Sequence, residues 1–386
     1  MSLYDVVIVG GGIHGVGVAQ AASAAGYSVL LLEKSQLAAG SSSRSSKLIH
    51  GGLRYLESAQ ISLVYECLHE RQRLLKLAPD LVRLEAFHIP VYRDTVRRPW
   101  QLRAGLSLYA MLGGLHKSSL FKQLPLSQCS ELDGLKAEGL QSVYRYYDGM
   151  SDDAALTRAV MDSAISLGAE LELRASLLHA HVEEDRVDIV YQQAGSEKSC
   201  QAKTLVNAAG PWVGEVLDHI TPRQDNIAVD MVQGSHLVLD TELKAGSYYM
   251  EAPVDGRAVF FLPWKDKAML GTTEVKYHGR PEDVMVLAEE RRYLLHVLEH
   301  YFPSLSNSAI IEEFAGLRIL PQSEGAHFSR PRDTRIVQSD KRLSSIYGGK
   351  LTTYRLTAEK LVFQLQNILG KKQRIAYTDK LRLTPT

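Results

Sequence analysis

Residues 4–33 read YDVVIVGGGIHGVGVAQAASAAGYSVLLLE and contain a strand, a helix and a second strand in succession. Residues 4–9 are β-branched and apolar and end at glycine, a pattern typical of a strand buried on both faces of a parallel sheet. Small residues then predict a helix as far as Ala25, and residues 28–32 predict a second buried strand. The stretch therefore predicts a βαβ unit at the start of an α/β domain.

The turn inside this unit has the spacing G-x-G-x-x-G, at Gly10, Gly12 and Gly15, followed by the small Ala19 and by Glu33 at the end of the second strand. The first glycine makes a tight turn, the second lets backbone approach a pyrophosphate, and the third packs the helix against the strand. The helix N-terminus offers unpaired N–H groups to an anion, and the acid would accept hydrogen bonds from ribose hydroxyls. The pattern predicts a dinucleotide site and disfavours NADP, but it does not separate NAD from FAD.

The rest of the chain contains two kinds of segment. Residues 152–167 predict a helix, and residues 171–174, 187–192 and 205–209 predict further strands of α/β character. Residues 227–275 change to alternating strands, which predict an antiparallel sheet, and helices are predicted at 289–301 and 351–368. No linker rich in Gly, Pro or Ser separates the two kinds, so we expect two domains that interleave along the chain.

The composition is that of a globular protein without an electrostatic bias. The 386 residues are 45% hydrophobic and 23% charged, and 44 basic side chains balance 44 acidic ones, which gives no reason to expect a nucleic-acid partner. Cys67, Cys129 and Cys200 are odd in number and form no C-x-x-C pair, so we expect a reducing compartment with neither disulfides nor a metal site. Residues 102–115 are too short to span a membrane, and no signal peptide is recognisable, so we expect a cytoplasmic protein.

Five motifs along the chain are similar to those of one family. They are SSKLIHGGLRYLE at residues 45–57, LVNAAGPWV at 205–213, QGSHLVL at 233–239, LGTTEV at 270–275 and GGKLTTYR at 348–355. In this order they resemble the flavin-dependent glycerol-3-phosphate dehydrogenases, within the D-amino-acid-oxidase-like flavoproteins. The resemblance implies an α/β fold in which a doubly wound, Rossmann-like FAD domain carries an interleaved antiparallel-sheet cap. We assign residues 1–85, 146–222 and 312–386 to the FAD domain, and residues 86–145 and 223–311 to the substrate cap.

The resemblance also implies a set of residues that hold FAD. Serine hydroxyls suit phosphates and the polar edge of a flavin, although a serine-rich surface loop is the alternative. The glycine pair at 348–349 precedes the last helix, whose positive end would stabilise charge on a reduced flavin, and a plain turn is the alternative there. Besides the three glycines and Glu33, the predicted cofactor residues are Ile13, His14, Ser41, Ser42, Ser45, Lys47, Leu48, Ile49, His50, Ala209, Gly210, Gly348, Gly349, Lys350, Leu351 and Thr352.

A phosphate ester requires fixed cations, and arginine supplies them in a planar fork. Arg54 follows a glycine pair and Arg318 follows Ala-Gly-Leu, while Arg332 is the third candidate, with Arg330 and Arg335 as its competitors. Hydrogen bonds to other substrate oxygens are predicted for Tyr55, Thr272 and Thr273.

Oxidation of a secondary alcohol removes a hydride from carbon and a proton from oxygen, and a flavin accepts only the hydride. A base is therefore needed nearby. His236 is our first choice, because an unperturbed pKa of about 6.5 suits neutral pH. The alternative is a hydrogen-bonded histidine with a structural role only. His50 and Lys350 compete for this role, and Arg318 completes the predicted catalytic group.

The predicted function is oxidation of sn-glycerol 3-phosphate to dihydroxyacetone phosphate, by hydride transfer from C2 to flavin N5. The resemblance implies that the electrons pass to a membrane quinone or another acceptor, and a homodimer is compatible with the prediction. Two alternatives stay open. One is a related flavin enzyme of a 2-hydroxy acid or amine, with Arg318 on the carboxylate, and the other is a non-catalytic flavin-binding subunit.

Residues 93–122 combine many basic side chains with apolar ones at spacings of three and four. This pattern predicts a basic amphipathic helix on the anionic inner face of the cytoplasmic membrane. The alternative is that the apolar face packs on the protein while the arginines are solvated. The basic residues are Arg93, Arg97, Arg98, Arg103, Lys117 and Lys122, and the apolar ones are Trp100, Leu102, Leu106, Tyr109 and Leu112.

Overall fold

The computed structural model describes residues 2–322 and 334–385. Within these ranges the α-helices are α1 (Ile13–Ala24), α2 (Ile61–Leu77), α3 (Pro99–Leu112), α4 (Asp153–Ser166), α5 (Val213–Asp218), α6 (Ala288–Tyr301) and α7 (Tyr354–Leu369). The strands are β1 (Leu3–Val9), β2 (Val29–Glu33), β3 (Leu48–Ile49), β4 (Val82–Tyr92), β5 (Lys122–Leu124), β6 (Leu140–Ser151), β7 (Glu170–Leu173), β8 (Ala175–Val182), β9 (Val187–Gln193), β10 (Ser196–Asn207), β11 (Ile220–Thr221), β12 (Val229–Leu239), β13 (Ser247–Glu251), β14 (Ala258–Trp264), β15 (Lys267–Gly271), β16 (Val275–Tyr277), β17 (Ile310–Pro321), β18 (Arg335–Asp340) and β19 (Leu343–Tyr347).

The first sheet has β1 at its centre. Its main path is β11-β8-β9-β10-β1-β2-β7, with β19 beside β10 and β18 beside β19. The strand β1 runs parallel to β2 and to β10, and the register places Val9 opposite both Leu32 and Asn207. The carboxyl ends of three strands therefore meet at one edge, which is where nucleotide sites form in such sheets.

Small side chains let the first helix pack closely against this sheet. The helix α1 is buried on nearly every side and shares a core with β1, β2, α4 and α7. On the opposite face, side chains of β1 and β2 share a core with side chains of β8 and β9 and with α5. The predicted βαβ unit and the later α/β elements are thereby confirmed.

The second sheet is built mainly from the strand-rich middle of the chain. Its main path is β16-β12-β15-β14-β13-β4-β6-β3, with β17 beside β12 and β5 beside β6. The helix α6 covers one face, and α2 and α3 cover the other. Two sheets in one α/β chain confirm the predicted fold class. The predicted boundaries at 145/146 and 311/312 fall inside β6 and β17, which are both strands of this sheet.

The helix α3 does not present the apolar face that the sequence predicted for a membrane. Leu102, Leu106 and Tyr109 are buried and pack beneath the second sheet. That face belongs to the core because the neighbouring strands supply the apolar partners that a membrane would otherwise supply. Trp100 and Met111 project elsewhere, with 71% and 60% of their surfaces exposed. In the parts of the chain described above, every helix is too short or too polar to cross a bilayer.

Candidate active site

One large cleft lies between the two sheets, with an empty volume of about 2700 Å³. Its walls combine the glycine turn after β1 with residues of β12 and β17 from the second sheet. All the predicted site residues that the structure describes line this cleft, except Gly15, Lys47, Ile49 and Thr273. Arg332 lies outside the described residues, as does its competitor Arg330.

The glycine turn allows backbone to approach backbone at the edge of the first sheet. Gly10 has a φ of +111°, and a Cβ there would lie 2.6 Å from the carbonyl oxygen of Ala208. A Cβ at Gly15 would lie 1.8 Å from the carbonyl oxygen of Gly10, so this glycine acts by packing and does not line the cleft. Gly12 precedes α1, whose first residues Ile13 and His14 line the cleft, and the positive end of the helix favours an anion there. The Ile13 N–H donates to the Ser42 hydroxyl at 2.9 Å.

Glu33 braces the same turn. One of its carboxylate oxygens accepts a hydrogen bond from the Gly11 N–H at 2.6 Å, and the other accepts one from the Ser35 N–H at 2.8 Å. The carboxylate lines the cleft and is 8% exposed. An acid held in this way fixes the turn and presents negative charge at the nucleotide end.

The serine-rich segment at residues 41–46 is held in place by a buried ion pair. The Lys47 ammonium donates to Asp153 at 2.7 Å and to the carbonyl of Ser43 at 2.6 Å. Ser45 donates to the same carboxylate at 2.6 Å. The Lys47 side chain is thus turned from the cleft because its charge is neutralised in the interior, and Ile49 is a core residue. Both were predicted as cofactor contacts, and neither is among the residues that line the cleft.

The Gly348-Gly349 pair makes room at the amino end of α7. Both residues have positive φ, at +68° and +107°, and a Cβ at Gly349 would lie 2.0 Å from Nε2 of His14. Burial lowers the pKa of His14 to about 4, so this imidazole is neutral at physiological pH. The next residue, Lys350, places its ammonium 3.7 Å from the centroid of the Tyr55 ring.

His236 stands on β12 where the two sheets face each other. Its ring stacks on Phe314 with a centroid distance of 4.9 Å, and its Nε2 lies 2.9 Å from the Ser46 hydroxyl. Burial, followed by the positive charges of Lys47 and Arg318, lowers the pKa of His236 to about 3. The imidazole is therefore neutral and retains a lone pair for a proton.

Arg318, which was predicted in a glycine-to-proline turn, lies instead on the strand β17. It is next to the histidine strand because β12 and β17 pair in antiparallel register, with Val232 opposite Arg318. Nη2 of Arg318 donates to the carbonyl of Thr273 at 3.1 Å. The Thr273 side chain itself is buried, since its hydroxyl donates to Glu290 at 2.5 Å and accepts from the Ser235 N–H at 2.8 Å. Of the two predicted threonines, Thr272 alone lines the cleft.

A family model for FAD-dependent oxidoreductases matches residues 5–355. This chain belongs to that family. It is 39% identical over 381 residues to a glycerol-3-phosphate dehydrogenase of Pseudomonas aeruginosa, with 94% of this chain and 72% of that protein covered. A D-erythritol 1-phosphate dehydrogenase of Brucella abortus is 34% identical over 373 residues, which cover 94% of this chain and 74% of that protein. The X-ray structure of the glycerol-3-phosphate dehydrogenase from Bacillus halodurans complexed with FAD superposes with a TM-score of 0.78 at 27% identity, covering 99% of this chain and 68% of that one.

The cleft of this FAD-dependent oxidoreductase has the donors and the space that FAD requires. Nδ1 of His14 and Nη2 of Arg54 are buried without a hydrogen-bond partner among the residues that the structure describes. Both side chains line the cleft, so a polar group bound there can satisfy these two nitrogens. The glycines at 10, 12 and 349 leave backbone uncovered along the wall.

Sequence reasoning missed several residues of the oxidoreductase cleft. Arg257 and Tyr249 line it from the second sheet, and Nη1 of Arg257 donates to the carbonyl of Glu274 at 2.9 Å. Asp148, on β6, also lines it and is 2% exposed. An acid inside the apolar run YRYYDGM is the signal that could have identified Asp148, because a charge in a buried strand requires a partner.

Proposed function

We propose that this oxidoreductase converts sn-glycerol 3-phosphate to dihydroxyacetone phosphate. The observation that carries the proposal is the grouping of cations with the neutral imidazole of His236 in a single cleft. Arg54 and Lys350 both lie over the ring of Tyr55, at 5.5 Å and 3.7 Å from its centroid. Arg318 is close enough to His236 to lower its pKa by its charge. The names of the relatives, which are dehydrogenases of polyol phosphates, support the same substrate class.

The cations match the charge of the substrate. A phosphate monoester carries about two negative charges at neutral pH, and guanidinium groups bind its oxygens through paired hydrogen bonds. Arg54 has a buried nitrogen without a partner among the described residues, so it can donate to a phosphate oxygen without breaking an existing bond there. This preference separates a phosphate ester from a neutral polyol.

The neutral imidazole of His236 can accept the proton that the substrate alcohol loses. The chemistry that FAD supplies when bound is acceptance of the hydride that leaves C2 of the substrate. The C2 hydroxyl then loses its proton as the carbon–oxygen double bond forms, and His236 accepts that proton. The Ser46 hydroxyl, 2.9 Å from Nε2, orients the ring. One hydride and one proton leave the alcohol, and the ketone remains.

Anaerobic reduction of the bound flavin tests the proposal. The purified holoenzyme is mixed without oxygen with glycerol 3-phosphate, with D-erythritol 1-phosphate, with lactate and with a D-amino acid in separate syringes. We expect bleaching of the flavin absorbance by a polyol phosphate and none by the other compounds. Reduction by lactate or the amino acid alone would establish the alternative flavin enzyme, and no reduction by any of the four would favour a non-catalytic subunit.

The proposed electron acceptor is a quinone. A second cavity of about 750 Å³ lies between α3 and the turn at residues 53–56, and its apolar wall includes Leu53, Leu56, Val96 and Leu102. Leu53 lines both this cavity and the main cleft. Filling the second cavity with Leu56→Trp should slow reoxidation by a short-chain quinone and leave reduction by glycerol 3-phosphate unchanged. Equal reoxidation rates in the variant and the wild type would exclude this cavity as the acceptor site.

The proposed membrane contact rests on the exposed side of α3 and on the segment just before it, instead of the buried face. Trp100 and Val96 are each 71% exposed beside the exposed Arg98 and Arg103. Tryptophan favours the membrane interface and basic residues favour anionic lipid. Holoenzyme should therefore cosediment with vesicles that contain phosphatidylglycerol but not with pure phosphatidylcholine, and Trp100→Ser should weaken the binding. Persistence in the supernatant with anionic vesicles at low salt would refute this contact.

A further inference from the structure

Helix α2 carries two consecutive buried charges behind the active-site cleft. Glu70 is 2% exposed and Arg71 is fully buried, and neither side chain lines the cleft. Burial of a charge is costly unless a partner neutralises it. The partners of these two residues therefore indicate what the charges contribute.

The arginine reaches the turn that precedes Arg54. Nη1 of Arg71 donates to Asp148 at 2.6 Å. The same carboxylate accepts from the Tyr109 hydroxyl at 2.8 Å and from the Gly51 N–H at 3.1 Å. A Cβ at Gly51 would lie 2.3 Å from the Tyr109 oxygen, so the turn rests directly on this tyrosine.

The glutamate reaches the segment that follows Lys350. Both oxygens of Glu70 are held by Arg355, from Nε at 2.8 Å and from Nη2 at 2.7 Å. Nη1 of Arg355 also donates to the Thr378 hydroxyl at 2.9 Å. One turn earlier on α2, the sulfur of Cys67 lies 3.9 Å from the Lys350 ammonium.

Adjacent residues of a helix point in directions about 100° apart, so one rigid helix can hold two separate segments at a fixed spacing. We propose that Glu70 and Arg71 are positioning residues that set the distance between Arg54 and Lys350, two of the cations of the substrate pocket. Arg71 places Arg54 through Asp148 and Gly51, and Glu70 places Lys350 through Arg355. The inference rests on the proposed function, because it assigns these cations to the substrate phosphate.

Spacing matters because a phosphate binds tightly only when its donors are already in place. A misplacement of about 1 Å in a positioned group can reduce catalytic efficiency by about 100-fold. Removing the charge of Glu70 or of Arg71 would leave its partner, Arg355 or Asp148, buried and unpaired, which is strongly destabilising. The test therefore uses variants that loosen each chain of contacts without uncovering a charge.

Tyr109→Phe removes one donor to Asp148 and keeps the ring. Tyr144→Phe is the matched control, because this tyrosine is buried in the same cluster and its hydroxyl donates at 2.9 Å to the carbonyl of Pro99, which is not a cleft residue. In the second chain of contacts, Thr378→Val removes a partner of Arg355. Its control is Thr204→Val, a buried threonine that donates at 3.1 Å to the carbonyl of Asp5.

Two quantities are measured on each holoenzyme. They are the KM and kcat for glycerol 3-phosphate, and the Kd of inorganic phosphate from the change in flavin absorbance. We expect Tyr109→Phe and Thr378→Val to raise KM and the phosphate Kd by about 10-fold with kcat within about threefold of wild type. The two controls should match the wild type in both quantities, and all variants should retain the FAD content of the wild type.

The outcomes separate this inference from the function on which it rests. Failure of glycerol 3-phosphate to reduce wild-type flavin would refute the proposed function. A phosphate Kd that is the same in Tyr109→Phe and Tyr144→Phe, and in Thr378→Val and Thr204→Val, would refute the positioning role. A general loss of folding would lower Tm and FAD content equally in the test and control variants. Equal falls of this kind would also refute the positioning role.

Discussion

Substitution of Gly234 by alanine should weaken substrate binding without removing any substrate-binding side chain. A Cβ at this position would lie 2.5 Å from Oγ1 of Thr272 and 2.9 Å from Nη2 of Arg318. Restoring an ordinary contact of 3.4 Å moves the hydroxyl by about 0.9 Å and the guanidinium by about 0.5 Å. Displacements of this size correspond to a loss of about 10- to 100-fold in kcat/KM.

The assay is stopped-flow reduction of the bound flavin over a range of glycerol 3-phosphate concentrations. We expect the concentration for half-maximal rate to rise while FAD content stays constant, because the methyl group faces Thr272 and Arg318 and not the glycine turn. Gly214→Ala is the control, since its Cβ would meet only the Asn226 amide, at 3.2 Å. An unchanged concentration dependence in Gly234→Ala would show that the Thr272 and Arg318 side chains do not contact the substrate.

Three further predictions concern the base, acid stability and the cofactor. His236→Ala should slow flavin reduction by about 10²- to 10⁴-fold, the usual contribution of a positioned base, and a wild-type rate in single-turnover experiments would transfer the role to His50 or Lys350. Burial lowers the pKa of His14 and His88 to about 4, whereas the unfolded chain takes up these protons near pH 6.5. The free energy of unfolding should therefore fall as the pH drops from about 6.5 to about 4, and a His88→Gln variant should show a flatter fall in Tm over that range. Acid precipitation should release yellow FAD into the supernatant, and flavin that stays with the pellet would indicate a covalent bond.

The parts of the site that follow from local sequence were predictable. The glycine turn requires Gly10 because a Cβ would collide with Ala208, and the strand before it is recognisable from its apolar run alone. The strands that the second sheet draws from residues 227–275 were recognisable from their alternation, whereas β4, β6 and β17 of the same sheet were not predicted. These features depend on backbone conformation within a few residues.

The direction of individual side chains was not predictable, because it depends on partners distant in the chain. Lys47 was predicted to contact the cofactor, but its ammonium pairs with Asp153, which is 106 positions away. Thr273 was predicted to contact the substrate, but its hydroxyl is held by Glu290. In each case the side chain is paired with a buried partner, because leaving a buried charge or hydroxyl unpaired costs free energy.

The proposed role of His236 as base depends on charges that are distant in the chain. A short motif identifies this histidine, but its basicity is set by burial and by the charges of Lys47 and Arg318, which together lower its pKa to about 3. An imidazole with so low a pKa accepts a proton poorly unless a negative charge is bound beside it. A phosphate dianion bound in this cleft supplies that charge, offsets the positive charges of Lys47 and Arg318 and raises the proton affinity of the imidazole. Glycerol fills part of the same cleft but brings no charge, so it should reduce the flavin slowly even at saturation, and a kcat for glycerol close to that for glycerol 3-phosphate would contradict this coupling.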